Sequence, residues 1–222
     1  MTWPVVPICN EQRIDVRPED LIQDGLYRKC DTYRGGGGYD QFSDIHAKRH
    51  QHRPYPTQFV VQLYGCPLSC PYCYLTKKGV FGEPVLVTTE NLIEAFTGSC
   101  LEVFHLMGGA PALYLENWKV LAEKIKGVFH SDFLLVEKEY ELEWLENLPG
   151  LHAVSLKHFP LPNKQMMWKN LDLLVETNVD FYITFTGIPN PILKANLLDR
   201  YGAWILEDSF IIPIINYGAL NG

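Results

Sequence analysis

A chain of 222 residues, 47% of them hydrophobic and 20% charged, has an ordinary globular composition and is long enough to bury the core of one domain. Its formal net charge of −7 gives no indication of general nucleic-acid binding or of affinity for an anionic membrane. The first residues lack a basic region followed by an apolar run, and no run of about 20 apolar residues occurs, so we expect a cytoplasmic protein without a membrane span.

Residues 1–56 are predicted to form an N-terminal extension of a domain that covers residues 57–222. Prolines and the glycine run at 35–38 interrupt any long periodicity. We interpret the glycine run as a flexible linker, because it lacks the Lys-Ser/Thr ending of a phosphate-binding loop. The basic, histidine-rich patch at 46–53 is either a solvated loop or part of the mouth of a site, where it would meet an anionic substrate or a partner protein.

From residue 57 onward, strand and helix patterns alternate. A β-branched and aromatic run at 58–63 predicts a buried strand. Further strands are predicted at 101–107, 133–136, 152–156, 180–185 and 210–215, with 203–206 as an additional candidate. Helices are predicted at 90–96, 117–126, 140–146, 164–176 and 191–198. Short apolar strands joined by helices predict an α/β fold with a parallel sheet covered by helices on its outer face.

Three cysteines follow the first predicted strand at Cys-x3-Cys-x2-Cys spacing, namely Cys66, Cys70 and Cys73. A loop rich in glycine and proline can wrap three thiolates around one face of a [4Fe–4S] cluster, which leaves one iron open to a small chelating molecule. A zinc site usually takes four protein ligands in two separated pairs, and no second pair follows here. An iron–sulfur electron carrier would need a fourth cysteine. The isolated candidates for that ligand are Cys9, Cys30 and Cys100.

The stretch from Gly65 to Tyr74 resembles the signature of the radical S-adenosylmethionine (radical SAM) superfamily, including the aromatic Tyr72 before the last cysteine. The resemblance implies an open (β/α)6 partial barrel over about residues 57–217, with the first strand leading into the cluster loop. It implies that S-adenosylmethionine chelates the open iron and is reductively cleaved to a 5′-deoxyadenosyl radical, which abstracts hydrogen from a substrate. A one-electron donor of the flavodoxin or ferredoxin type and oxygen sensitivity are also implied.

The carboxyl ends of parallel strands, where α/β folds bind ligands, carry further candidates. The second predicted strand ends in Met107, Gly108, Gly109 and Ala110. This run resembles the family's Gly-Gly-Glu-Pro motif, whose backbone contacts the amino group of the methionine moiety. Glycine permits the close approach of backbone that such a contact needs. Ala110 replaces the glutamate, so the backbone contacts are expected and one side-chain contact is not.

Later strand ends supply polar candidates for binding the cofactor. Ser155 and Lys157 stand where the similar glycyl-radical activating enzymes carry Asp-x-Lys, and Lys157 is expected to neutralise the methionine carboxylate. Glu137 is predicted to accept a hydrogen bond from a ribose hydroxyl or to guide a substrate proton, with a surface carboxylate as the alternative. The Thr184 hydroxyl is expected to meet ribose or substrate. Tyr72 is expected to lie near the adenine.

Three further residues follow predicted strands. His158 is a candidate proton donor or lid residue, and Asn216 or Tyr217 is expected beside the adenine.

The resemblance leaves the substrate open. The chain is similar both to glycyl-radical activating enzymes, which act on a protein glycine, and to 7-carboxy-7-deazaguanine synthases, which act on a small molecule. We expect a small or nucleotide-like substrate, with residues 1–56 closing the open barrel face. A non-catalytic protein for electron transfer or for S-adenosylmethionine binding is the alternative from another class. Cys100 is expected at the opposite end of the sheet from the cysteine loop, which argues against the electron carrier.

Overall fold

The computed structural model of the chain describes residues 1–7, 18–31, 45, 47–50, 57–73, 83–157, 163–212 and 214. The glycine run and the candidates Cys9, His158, Asn216 and Tyr217 lie outside these described residues. The strands are β1 (Thr2–Val5), β2 (Leu21–Ile22), β3 (Tyr27–Asp31), β4 (Thr57–Gln62), β5 (Val85–Thr88), β6 (Val103–Met107), β7 (Val128–Phe133), β8 (Leu151–Lys157), β9 (Asp180–Thr186) and β10 (Phe210–Ile212). The α-helices that connect them are α1 (Thr89–Ser99), α2 (Leu115–Lys124), α3 (Leu142–Leu145), α4 (Lys164–Glu176) and α5 (Pro191–Tyr201).

One open sheet of eight strands dominates the fold, in the order β10-β9-β8-β7-β6-β4-β3-β2. The strands β4, β6, β7, β8, β9 and β10 are parallel to their neighbours and lie in chain order. Both β3 and β2 continue the sheet beyond β4 as antiparallel strands. In the described part of the chain the end strands β10 and β2 do not pair, so the sheet does not close. The predicted α/β class with a mostly parallel sheet is confirmed.

Helices α1, α2, α4 and α5 pack into a single core on one face of the sheet. Residues two apart along a strand share a face, so the alternating large side chains of β4 and β6 meet the helices. The residues of this core include Phe59, Leu92, Phe104, Trp118, Phe129, Leu171, Ile183 and Leu197. We call the opposite face the polar face. Among the described residues, no helix combines the length and the apolar character needed to cross a bilayer.

The polar face changes character along the strands. Near the amino ends of the parallel strands it is apolar, with a small cluster that includes Val103, Leu151 and Tyr182. Towards the carboxyl ends it carries hydrophilic side chains at every second position. They are Arg28, Gln62, His105, His130, Asp132, Ser155, Lys157, Thr184 and Thr186. Most of these hydrophilic side chains are buried.

The third parallel strand and one strand candidate were predicted wrongly. A strand was predicted at 133–136, but β7 spans Val128–Phe133 and the chain then bends, with Leu135 at φ 66°. Polar His130 and Asp132 face away from the helices, which hides the apolar run that the prediction sought. The segment Ala203–Leu206 is a 3-10 helix and not a strand.

Residues of the predicted extension contribute strands. Strand β1 pairs antiparallel with β5, which precedes α1, and β3 pairs along β4. Trp3 and Tyr27 are both 0% exposed and belong to the main core. The indole Nε1 of Trp3 donates a hydrogen bond of 3.1 Å to the Thr89 hydroxyl at the start of α1. The N-terminal residues are therefore an integral part of the packing around the first parallel strand.

Replacing Trp3 by phenylalanine is expected to lower the free energy of unfolding by about 1–3 kcal/mol, because the buried Thr89 hydroxyl loses its donor. Urea denaturation followed by far-ultraviolet circular dichroism measures the change. The matched control is Trp204→Phe, since the Trp204 side chain is 52% exposed. Equal effects of the two substitutions would contradict a structural role for β1.

Candidate functional site

The three cysteines lie in the loop that leaves the carboxyl end of β4. Gly65, at φ 94°, turns the chain out of the strand, and Leu68 anchors the loop in the core. The amide of Cys73 donates a hydrogen bond of 3.0 Å to the carbonyl of Cys70. Cys66 is exposed, whereas Cys70 and Cys73 are half-buried. The structure thus holds the loop through its backbone and one apolar side chain, and leaves the thiols at its surface.

The thiols are close enough to influence one another electrostatically. Although Cys66 is exposed as a residue, desolvation by the surrounding groups raises the pKa of its thiol, and the neighbouring Cys73 raises it further. Burial also raises the pKa of Cys70 to about 11, against the opposing effect of the Lys157 ammonium group. A raised pKa favours the protonated thiol, so Cys66 and Cys70 are expected as thiols without a metal. The three predicted ligands therefore lie within electrostatic range of one another, and the charge of Lys157 reaches Cys66 and Cys70.

The segment from Met107 to Ala110 packs directly on the chain that enters the cysteine loop. The amide of Leu63 donates to the Met107 carbonyl at 2.8 Å, and the amide of Ala110 donates to the Gly65 carbonyl at 2.7 Å. Gly109 has a φ of 52°, and a Cβ there would lie 2.4 Å from the Gly65 oxygen. Only glycine tolerates this approach. Ala110 is 0% exposed and packs in the core.

Ser155, Lys157 and Thr184 lie on the polar face at the carboxyl ends of β8 and β9. The hydroxyls of Ser155 and Thr184 are 3.1 Å apart and buried. Lys157 follows Ser155 by two positions on the same face, and its charge acts on Cys66, Cys70 and Asp132. Lys157, at the end of β8, is therefore within electrostatic range of both the cysteine loop and Asp132.

Glu137 does not end a strand, contrary to the prediction, because β7 ends at Phe133. It is 8% exposed and accepts a hydrogen bond of 2.8 Å from the Leu134 amide, so it stabilises the loop after β7. Burial raises the pKa of this carboxyl. The charge of Glu137 raises the pKa of Cys66, so this carboxyl lies within electrostatic range of the cysteine loop. The alternative of a surface carboxylate is excluded by this burial.

Tyr72 and Met107 are both half-buried near the cysteine loop. Tyr72 precedes Cys73 in a turn. The Met107 sulfur accepts a hydrogen bond from Nη2 of Arg28 at 3.7 Å. Arg28 comes from β3, so a residue of the predicted extension reaches the polar face beside the end of β6.

Two other cysteines lie at the opposite edge of the sheet. Cys100 ends α1 just before β6 begins, and it is exposed. Cys30 in β3 pairs with Gln58 near the start of β4. The cysteine loop follows the carboxyl end of β4, so neither thiol is near it. The predicted placement of Cys100 at the far end of the sheet is confirmed.

Sequence reasoning missed a buried cluster on the polar face. His105 of β6 lies opposite His130 of β7, and Asp132 follows two positions later. Burial, and to a smaller extent Arg28, lowers the pKa of His105 to about 3. Burial raises the pKa of Asp132 to about 6, opposed by Lys157. The signal that could have revealed the cluster is polar residues at every second position of adjacent strands.

The described part of the basic patch lies far from the cysteines. The Lys48 ammonium and Arg49 Nε contact the Asp208 carboxylate at 2.8 and 2.9 Å. Arg49 also pairs with Asp180 at the start of β9, and Nε2 of His50 lies 3.1 Å from Asp180. Four of these residues, Lys48, Arg49, Asp180 and Asp208, border a cavity of about 430 Å³ near the start of β9. Residues 48–50 therefore do not line the mouth of the cysteine site. Lys48 and His50 are solvent-exposed, and Lys48 and Arg49 form ion pairs with Asp208 and Asp180.

The ion pairs predict a pH-dependent stability. Partial burial opposes ionisation of Asp208, but the hydrogen bonds from Lys48 and Arg49 prevail and lower its pKa. A lowered pKa in the folded state means that the pairs stabilise the fold above about pH 4 and lose this effect as the pH falls further. Asp208→Asn is expected to cost about 1–3 kcal/mol near neutral pH and progressively less below about pH 4.

Urea denaturation across this pH range measures the difference between Asp208→Asn and the wild-type chain. The control is Asp199→Asn, since Asp199 is exposed on α5. A cost for Asp208→Asn that does not change with pH would contradict the assignment of this ion pair.

No family model matches the chain, and no curated protein matches it significantly.

Proposed function

We propose that the chain is a radical SAM enzyme that abstracts hydrogen from a small or nucleotide-like substrate. The observation that supports this proposal is the position of the three thiols. Their loop follows the carboxyl end of the first parallel strand, its entry is hydrogen-bonded to the Met107–Ala110 segment, and Cys66 and Cys70 lie within electrostatic range of Lys157. A parallel sheet with its helices packed on one face, in chain order, is also compatible with the open (β/α)6 partial barrel that we propose.

The donor set fits a [4Fe–4S] cluster with one open iron. Cys66, Cys70 and Cys73 supply three thiols, and each of the first two is influenced electrostatically by the other cysteines. Among the described residues, Cys30 and Cys100 lie too far away to act as a fourth ligand. Thiolates are the ligands that hold such clusters in proteins. We therefore assign these three residues as cluster ligands.

Polar and backbone groups beside the cysteines suit S-adenosylmethionine. Lys157 would bind the methionine carboxylate, and the backbone at Met107, Gly108, Gly109 and Ala110 would accept from the amino group. The hydroxyls of Ser155 and Thr184, the Glu137 carboxylate and Tyr72 complete the set that would position the ribose and adenine. When bound, the cluster and S-adenosylmethionine would supply a 5′-deoxyadenosyl radical after one-electron reduction by a flavodoxin- or ferredoxin-type donor.

The buried polar face favours a small substrate. Arg28, His105, Asp132 and Tyr182 offer charges and hydrogen bonds on a surface that is mostly withdrawn from water. A compact polar molecule can satisfy such groups, whereas a glycine-containing protein loop brings few charges. An activase for a glycyl-radical enzyme remains the alternative within the same chemistry.

A non-catalytic protein is the alternative from another class. An electron carrier would need a fourth cluster ligand, and the positions of Cys30 and Cys100 count against it. Two departures from the family pattern keep a protein that only binds S-adenosylmethionine as a further alternative. Ala110 is packed in the core, and the Ser155 hydroxyl is already hydrogen-bonded to Thr184.

The proposal is tested by the response of the reduced cluster to S-adenosylmethionine. The chain is reconstituted anaerobically with iron and sulfide, reduced, and examined by electron paramagnetic resonance with and without the nucleotide. We expect the cluster signal to change when the nucleotide chelates the open iron. A cluster signal that stays the same at saturating nucleotide would contradict the proposal and favour the electron carrier.

A further inference from the structure

A second group of metal-binding side chains lies deeper on the polar face, separate from the cysteines. His105, His130 and Asp132 each offer one ligand atom, and these atoms all lie within 4.8 Å of one another. His105 and His130 are register partners on the adjacent strands β6 and β7, and their ring centroids are 4.2 Å apart. The arrangement follows from the strand register, so the sheet itself holds the three side chains together.

The site is built into the fold. His105 is 4% exposed and His130 is 3% exposed. Nε2 of His130 lies 3.2 Å from the Tyr182 hydroxyl of β9, and the two rings stack. A hydrogen bond to one imidazole nitrogen orients the ring and selects the other nitrogen as the metal ligand. We therefore assign Nδ1 of His130 to the metal and Tyr182 as the residue that positions it.

Two imidazoles and one carboxylate form a donor set for a transition metal. Zinc in catalytic sites takes three protein ligands and keeps an open position, and two histidines with one carboxylate also hold iron(II). Magnesium and calcium prefer oxygen ligands, so they fit this set less well. Bonds of about 2.0–2.1 Å in a tetrahedral site place ligand atoms about 3.4 Å apart. The three ligand atoms here lie within 4.8 Å of one another, so small side-chain rotations would bring them to the distances that a metal requires.

Two cations border the cluster. Arg28 acts electrostatically on His105, and Lys157 acts on Asp132. The positive charges of Arg28 and Lys157 weaken the attraction of the site for any cation. The site therefore favours metals that form strong bonds to imidazole over metals that are held mainly by charge. The same cations would attract an anionic group of a ligand towards the open metal position.

We propose that His105, His130 and Asp132 bind one divalent transition metal ion of the zinc, iron(II) or cobalt(II) class, with an open position for an anionic ligand. The inference does not depend on the iron–sulfur cluster, because its ligands are different residues. The proposed function requires only polar contacts between the polar face and a substrate. The present inference adds a metal site to that face.

The test uses the full chain with Cys66, Cys70 and Cys73 replaced by serine, so that the cysteine loop cannot bind the probe. This variant is titrated with Co²⁺, whose visible absorption reports the ligands. We expect one equivalent to bind with ligand-field bands and without thiolate charge-transfer bands. Zinc added afterwards should displace the cobalt. X-ray absorption of the zinc-loaded protein should show nitrogen and oxygen neighbours.

Asp132→Asn and His105→Gln in this background are expected to weaken Co²⁺ binding at least about 100-fold, because each removes a direct ligand. Tyr182→Phe is expected to weaken it about 10- to 100-fold, because it releases the His130 ring. The control is His50→Gln, which alters an exposed histidine beside a carboxylate and should leave the affinity unchanged. Circular dichroism and urea denaturation confirm that each variant is folded.

Absence of saturable binding in the folded variant without Cys66, Cys70 and Cys73 would overturn the proposal. Stoichiometric binding that Asp132→Asn and His105→Gln leave unchanged would overturn it as well, since the metal would then occupy another site. Neither outcome bears on the cluster, because the cluster ligands are absent from the protein tested. The metal proposal and the proposed function can therefore fail separately.

Discussion

Replacing Cys70 by alanine is expected to abolish binding of the [4Fe–4S] cluster and to leave a folded apo-protein. The half-buried Cys70 is one of only three proposed ligands, and a cluster held by two thiolates would not persist through purification. The fold should survive, because Leu68 and the hydrogen bond from the Cys73 amide to the Cys70 carbonyl hold the loop without the thiol. Iron and sulfide content after anaerobic reconstitution measures the loss, and circular dichroism checks the fold.

The matched control for this variant is Cys100→Ala. Cys100 is exposed at the opposite edge of the sheet, so its removal should leave the iron content at the wild-type level. Full iron content in Cys70→Ala would refute the ligand assignment. Loss of iron in Cys100→Ala would instead reveal a fourth cysteine ligand and support the electron carrier.

Replacing Lys157 by methionine is expected to weaken binding of S-adenosylmethionine about 10- to 150-fold with the cluster intact. The substitution removes one charge-assisted hydrogen bond, whose loss costs about 1.5–3 kcal/mol, and it keeps most of the aliphatic stem. Lys157 acts electrostatically on Cys66 and Cys70, which supports its placement beside the methionine carboxylate. Titration of the nucleotide against the signal of the reduced cluster measures the affinity.

Lys194→Met provides the control for the loss of a lysine charge, because Lys194 is exposed on α5. Its affinity for S-adenosylmethionine should equal that of the wild-type chain. An unchanged affinity in Lys157→Met would remove this lysine from the cofactor site. A loss of the cluster itself in Lys157→Met would show that the lysine supports the cysteine loop and not the nucleotide.

Much of the parallel sheet could be predicted because its strands are apolar runs between clear helix signals. Helix α4 was predicted at its observed bounds, Lys164–Glu176, and the first strand was predicted within one residue of β4. The position of the cysteine loop followed directly, since it begins where β4 ends. A tight backbone approach at Gly109 could also be predicted, because glycines at a strand end permit one. That the approach is to Gly65 is visible only in the structure.

The polar face could not be predicted in the same way. His130 and Asp132 interrupt the apolar pattern of β7, so the strand was placed over the following residues and Glu137 was wrongly assigned to a strand end. Hydrophobic periodicity detects the side of a strand that packs on helices, and it gives no signal for a face whose buried residues are polar. The strand β3, which brings Arg28 to this face, lay in a segment interpreted only as an extension, because its pairing partner is remote in sequence.

The most direct test of the central claim is the formation of 5′-deoxyadenosine. The reconstituted protein is reduced anaerobically with dithionite, supplied with S-adenosylmethionine, and analysed by chromatography, with Cys70→Ala as the control. The proposed function predicts that the wild-type chain produces 5′-deoxyadenosine and that the variant produces none. A wild-type chain that forms the cluster but yields no 5′-deoxyadenosine above the level of the variant would contradict it.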